Sequence, residues 1–143
     1  MAGERYHKKL AFRLEIDGVA VAHFRTVSGL ERNTAIIEEP EGAGQTSTKE
    51  GGRTTYEDVT CERGMTDNNE LYLLNQKFVD GEDDAEFDAT MVQTKRNGDT
   101  IATYNMYGCT LPGWAADGWD ETADENQIER VVISIEGFDR NIT

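Results

Sequence analysis

The chain has 143 residues, with 28 acidic side chains against 14 Lys and Arg, a formal net charge of -14 and a pI near 4.4. That length suits one compact domain, residues 1–143, able to close an apolar core without disulfides or metals. The charge disfavours nonspecific contact with nucleic acid or an anionic membrane, so a nucleic-acid reader is a poor reading of the sequence.

The first seventeen residues, MAGERYHKKLAFRLEID, carry charges throughout and hold no apolar run of signal-peptide type. No later segment approaches the length of a membrane span, so the expectation is a chain that stays soluble in the cell that makes it. From Leu10 the residues alternate, with Leu10, Phe12, Leu14 and Ile16 apolar and Arg13, Glu15 and Asp17 polar between them. Asp17-Gly18 suits a two-residue turn, which would set Ile16 opposite Val19 and Leu14 opposite Val21, with Arg13, Glu15, Ala20 and Ala22 on the other face. Lys9 to Arg25 therefore reads as one hairpin.

Val27 to Gly42, VSGLERNTAIIEEPEG, runs from a β-like segment into acidic, glycine-bearing chain, with a third strand expected over Leu30 to Glu38. Glu39 to Arg53 holds four glycines and no large apolar side chain, and reads as a long exposed loop. Thr54 to Arg63 resumes a β-pattern with Val59 and Cys61 on one face. A helix is expected over Asp67 to Val79, capped by Asp67 with Glu70 completing a capping box, and carrying Leu71, Leu74 and Phe78 as a packing stripe. Gly81 suits its exit.

Asn97-Gly98 signals a second hairpin, pairing Arg96 with Asp99, Met91 with Tyr104 and Ala89 with Met106. Phe87, Ala89, Met91, Tyr104 and Met106 then share a face, and Glu86, Asp88, Thr90, Thr103 and Asn105 lie opposite. Leu111 to Asn126 reads as irregular and contains Trp114 and Trp119, before a β-rich run over Ile128 to Asp139. Large aromatics in such a stretch anchor either a loop to its own core or one subunit to another, and spacing does not separate the two.

Little in the sequence is arranged for catalysis. His7 and His23 are the only histidines, and no Ser-His-Asp or Cys-His-Asp arrangement can be read from spacing. GAGQTSTK, Gly42 to Lys49, lacks the order of a phosphate loop and no helical pattern follows it. The acidic clusters at Glu82 to Asp88 and Asp117 to Glu125 do not match the calcium-loop spacing and read as solvated. Cys61 and Cys109 belong to no CxxC or Cys/His cluster and are expected as reduced core thiols. No catalytic residue, cofactor or metal is assigned.

Four strings in order, FRLEIDGVAVAHFRTVSGLE (Phe12 to Glu31), YEDVTCERGMTDNNELY (Tyr56 to Tyr72), NGDTIATYNMYGCTLPGW (Asn97 to Trp114) and ENQIERVVISIEG (Glu125 to Gly137), span nearly the whole chain. Together they resemble the inner tail-tube proteins of contractile phages and of related contractile injection systems. The resemblance implies a mainly β (α+β) fold, a small antiparallel β-barrel or sandwich of about six to eight strands with one flanking α-helix. It implies a non-enzymatic protein of the phage virion, assembled in the host cytoplasm. Its homo-hexameric rings would stack into a tube through which DNA passes without specific binding, in contact with sheath, baseplate and tail-terminator proteins but no membrane.

On that reading Glu39, Glu41, Gly42, Gly44, Lys49, Gly51 and Arg53 are candidates for an inter-subunit or inter-ring loop. Glu15, Glu86 and Asp88 are candidates for an acidic lumen, where like charge keeps DNA off the wall over roughly 8 Å. Trp114 and Trp119 are candidate interface or loop anchors. Two alternatives stand beside it: the tube of a phage-derived particle delivering protein effectors, and a monomeric carbohydrate-binding β-domain using the two tryptophans. An enzyme with an acidic site is opposed by the poverty of His, Cys and Ser constellations.

Overall fold

The computed structural model describes residues 11–17, 19–40, 47–64, 66–117 and 127–142. It is mainly β, with ten strands and one helix among the described residues. The expected first hairpin forms from β1 (Ala11–Ile16) and β2 (Val19–Phe24), with Asp17 at φ 54° in the turn and Ile16 opposite Val19. Beyond Glu15, which faces Ala20, the register shifts and Leu14 faces Ala22, not Val21. The extra residue is a β-bulge at Val21, and it turns Ala22 and Phe24 into the core and away from the polar face expected for Ala22.

Only Arg25 separates β2 from β3 (Thr26–Ser28), and its N–H donates to the Glu62 carbonyl at 3.0 Å as the chain crosses to a second layer. Gly29 follows at φ +94°, where an added Cβ would stand 2.0 Å from the Asp58 carbonyl oxygen. The VSGLE turn therefore requires glycine for its backbone angle and for its close approach to Asp58.

β4 (Arg32–Pro40) and β5 (Ser47–Tyr56) form a separate two-stranded antiparallel ribbon, so Ser47 to Arg53, read as loop, is strand. The strand expected over Leu30 to Glu38 has the same length, 9 residues, but both starts and ends two residues later. Thr54 to Arg63 also divides, with β6 (Val59–Gly64) starting after a break at Glu57 and Asp58. Val59 and Cys61 share the core face of β6 as expected, both fully buried.

The helix α1 is Glu70–Val79, and Asn69 caps it without a side-chain bond. The capping box at Asp67 does not form, because Asn68 Oδ1 accepts the Glu70 N–H at 2.8 Å and Thr66 Oγ1 accepts the Asn68 N–H, holding the chain in turns up to that point. Leu71 is buried and Leu74 half-buried, but Phe78 at the far end of the stripe is exposed. Gly81, at φ +69°, donates to the Phe78 carbonyl as the helix ends, and a short 3-10 turn at Asp83–Ala85 leads onward.

β7 (Phe87–Thr94) and β8 (Thr100–Asp117) pair as expected at Met91–Tyr104 and Ala89–Met106. Arg96 does not face Asp99. Lys95 N–H donates to the Asp99 carbonyl and Gly98 N–H to the Lys95 carbonyl, a three-residue loop with Gly98 at φ +94°. A type I turn closed by a left-handed glycine shifts the register by one where a two-residue turn would not. β8 then continues for 18 residues through Pro112 and Gly113, with a register irregularity between Thr110 and Gly113, so Leu111 to Asp117 is strand and not irregular chain. β9 (Ile128–Ser134) and β10 (Gly137–Ile142) complete the fold.

The long β8 belongs to two layers. Its first half pairs with β7 and β10, giving the order β2-β1-β7-β8-β10, and its second half pairs with β9, giving β8-β9-β6-β3. Every pairing is antiparallel. Leu14, Ala22, Phe24, Met91 and Met106 from the first layer meet Val59, Cys61, Leu111, Val131 and Ile133 from the second, and Leu71 from the helix, in one core. Among the described residues β2 and β3, the ends of the path, do not pair with each other, and the arrangement is an open two-layer sheet and not a closed barrel.

Candidate assembly surfaces

In the ribbon, Glu38 faces Lys49 with a 3.4 Å ion pair, and Thr34 and Thr54 share a hydroxyl hydrogen bond of 2.7 Å. Its base is held by Tyr56, edge-on to Phe138 at 5.6 Å, and by Arg32 over the same ring at 5.9 Å. Beyond that base no described residue of the ribbon is buried, and Ile36 is 68% exposed. Of the candidate assembly residues, Lys49, Gly51 and Arg53 lie on β5 and Glu39 is placed on β4. Glu41, Gly42 and Gly44 lie outside the described residues.

The five-stranded layer turns one face to the core and one to solvent. Its solvent face carries Arg13, Glu15, Asp88, Thr90, Asn105 and Tyr107, among others. Glu15 and Asp88 line one shallow depression with Asn105 and Tyr107, whereas Glu86 is exposed in the extended link before β7 and is not part of it. Arg13 pairs with Glu15 at 2.6 Å, and Asp88 accepts the Gly108 N–H at 3.0 Å. The Tyr107 hydroxyl donates to Asp139 at 2.7 Å, and that hydrogen bond, with the nearby negative charge, pushes the phenol pKa up.

Trp114 is a half-buried internal anchor. It stands edge-on to Tyr72 of the helix at 5.1 Å, and its Nε1–H donates to Glu129 Oε2 at 3.1 Å. Glu129 in turn accepts from Arg63 Nε at 2.5 Å, both side chains being almost fully buried. Sequence spacing carries a signal for this pair that composition and motif do not. Arg63 continues the Val59, Cys61 face of β6, Glu129 continues the Val131, Ile133 face of β9, and the two strands pair them directly. Trp119 lies outside the described residues.

Burial raises the pKa of both thiols, Cys61 and Cys109, to about 12, with the Asp88 charge adding to the shift at Cys109. They are free, buried and chemically quiet. Among the described residues no three His, Cys, Asp or Glu side chains converge to hold a metal ion. What this molecule presents is strand edges, an unsupported ribbon and a polar sheet face, the surfaces of a structural assembly protein.

Residues 8–139 match the family described as T4-like virus tail tube protein gp19, and the chain belongs to that family. Among curated proteins no sequence relative was found. Solved structures share the fold. The anti-feeding prophage tube-terminating cap superposes with a TM-score of 0.81 at 17% identity, covering 100% of this chain and 95% of that one. A sheath–tube complex of the extracellular contractile injection system PVC gives 0.74 at 18% identity over 92% and 88%. Hcp1 from Salmonella typhimurium gives 0.57 at 13% identity over 94% and 87%. The chain is thus a structural tail-tube protein of contractile, phage-type particles and not an enzyme.

Proposed function

We propose that this chain assembles into rings of six copies that stack into the hollow inner tube of a contractile tail, with the solvent face of the five-stranded layer lining the lumen. The observation that carries the proposal is the ribbon from Arg32 to Tyr56, which extends from its base with no layer beneath it. A lone two-stranded ribbon is marginal in water, so its stability has to come from contact with other molecules, and Ile36 and Ile37 are the apolar groups available for that contact. Ribbon contacts with an adjacent ring supply it. Sheath, baseplate and terminator proteins would then meet the tube's outer surface and ends.

The lumen reading is softer in charge than an unbroken acidic wall. Arg13 offsets Glu15, leaving Asp17, Asp88 and Asp139, among the described residues, as carboxylates without a cationic partner on that face. They repel DNA at short range and give it no counterion to release, which favours passage over retention. The neutral polar remainder, Thr90, Asn105 and Tyr107, suits a protein cargo equally, so effector delivery is the second reading.

Electron microscopy of the concentrated purified chain tests the proposal: rings or tubes are expected, and a persistent monomer overturns it. Deleting Gly42 to Gly52 is expected to abolish long tubes, and long tubes after that deletion would remove the ribbon's role. Nucleic-acid content of intact particles separates the two cargoes.

A further inference from the structure

Asn97 is the only asparagine in the sequence with a glycine after it, and it stands in the exposed loop between β7 and β8. Glycine carries no side chain to shield its own N–H, so that nitrogen can approach the side-chain amide before it. An added Cβ at Gly98 would meet nothing within 4 Å, so the residue has open space around it. Asparagine followed by glycine is accordingly the pair at which a chain attacks itself most readily.

The loop opposes that attack at each reacting atom. Gly98 N–H, the nucleophile, donates to the Lys95 carbonyl at 2.9 Å, and Lys95 N–H donates to the Asp99 carbonyl at 2.8 Å to close the loop. Asp99 holds both ends of the amide under attack. Its N–H donates to Asn97 Oδ1 at 3.0 Å, while its Oδ2 accepts from Asn97 Nδ2 at 3.1 Å. Before Gly98 N can reach Asn97 Cγ, its own bond to Lys95 has to break and the amide has to turn away from Asp99.

We infer that Asn97 is a self-modification site, locked while the Lys95–Asp99 loop is closed and converted to aspartate and isoaspartate when it opens. In the open loop Gly98 N gives up its proton to hydroxide and bonds to Asn97 Cγ. The Cγ–Nδ2 bond breaks, and Nδ2 takes a proton from water and leaves as ammonia. What remains is a succinimide ring. Water opening it at Cγ leaves an aspartate, whereas water opening it at the main-chain carbonyl carbon reroutes the backbone through Cγ as isoaspartate. No oxidant or reductant takes part.

The change is one-way, because its products cannot rebuild the lock. Where Asn97 Nδ2 now donates to Asp99, a carboxylate oxygen would stand, and a hydrogen bond becomes a like-charge contact. Isoaspartate also lengthens the main chain and carries Gly98 N–H away from the Lys95 carbonyl. The loop at the tip of the β7–β8 hairpin then stays open. Nothing in this chemistry depends on assembly into a tube.

One N–H governs two measurable rates, since Gly98 has to leave the Lys95 carbonyl both to exchange with solvent and to attack. Peptide mapping by mass spectrometry at mildly alkaline pH gives the conversion rate of Asn97 in the folded chain and in a synthetic peptide spanning Thr94 to Thr100. The folded chain should convert more slowly than the peptide, by the factor that hydrogen exchange measures for protection of the Gly98 amide. Asp99→Ala removes the carboxylate half of the lock and should shrink that factor, measured against a peptide with the same substitution. Conversion at the peptide's rate while Gly98 is protected would overturn the inference. So would an Asn97 that stays unconverted while Gly98 exchanges freely, or an Asp99→Ala chain protected as fully as the native one.

Discussion

The two-layer body and the ribbon are built from the same kinds of residue under opposite rules. Leu14, Met91, Met106 and Ile133 are fully enclosed in the body, while no described residue of the ribbon is buried, including Ile36 and Ile37. The body is stable because its strands face a second layer. The ribbon has only its own ladder and an aromatic foothold at Phe138. One chain thus holds a part closed around its own core and a part that encloses none.

The largest effect expected lies in the body's buried ion pair. Glu129→Ala leaves the Arg63 guanidinium without its counter-charge and should destabilise the unassembled chain by about 3–5 kcal/mol in urea unfolding, and joint replacement of both residues by apolar ones should restore much of it. Leu14→Ala should cost about 2–5 kcal/mol by the same measurement. A loss below about 1 kcal/mol would mean the layers are not packed as described.

The buried thiols give a smaller, pH-dependent effect. Their folded pKa lies near 12 and above the unfolded value, so their contribution is fully present below the unfolded pKa and is lost as pH rises toward the folded one. Stability should fall between pH 9 and 10 by on the order of 1 kcal/mol per thiol, and Cys61→Ala should flatten that slope.

The smallest stability changes belong to the ribbon. Ile36→Ser should alter unfolding of the single chain by no more than about 0.5 kcal/mol while shortening or abolishing tubes under the microscope. A loss comparable to that of Leu14→Ala would make the ribbon part of the body and dissolve the contrast. Lys49→Ala, which removes an exposed ion pair with Glu38, should change stability by about 0–0.5 kcal/mol.

The body was legible in the sequence because its strands have one wet face and one dry one. The alternation around Leu14 and around Met91 records that directly, and the helix announced itself through Leu71 and Leu74. The ribbon was half legible for the opposite reason: with both faces wet, β5 has no alternation to display, and its paired glycines resemble a loop. The bulge at Val21 and the shifted turn at Gly98 each depend on one extra residue, which side-chain pattern does not reveal. The second half of β8 is hidden in the sequence because Pro112-Gly113 ordinarily signals a turn. Here Pro112 is exposed, and it falls where the ladder to β9 is already interrupted.

That unbroken β8 bears on how the molecule would carry a mechanical load. Where two sheets are joined only by side chains, a push on one can slide it over the other. Here a single covalent backbone runs out of one sheet and into the other, so a force applied along the first arrives in the second as tension or compression in peptide bonds. The subunit is cross-braced by its own chain, with the helix packed against β8 and the Arg63–Glu129 pair joining the two strands next to it in the second sheet.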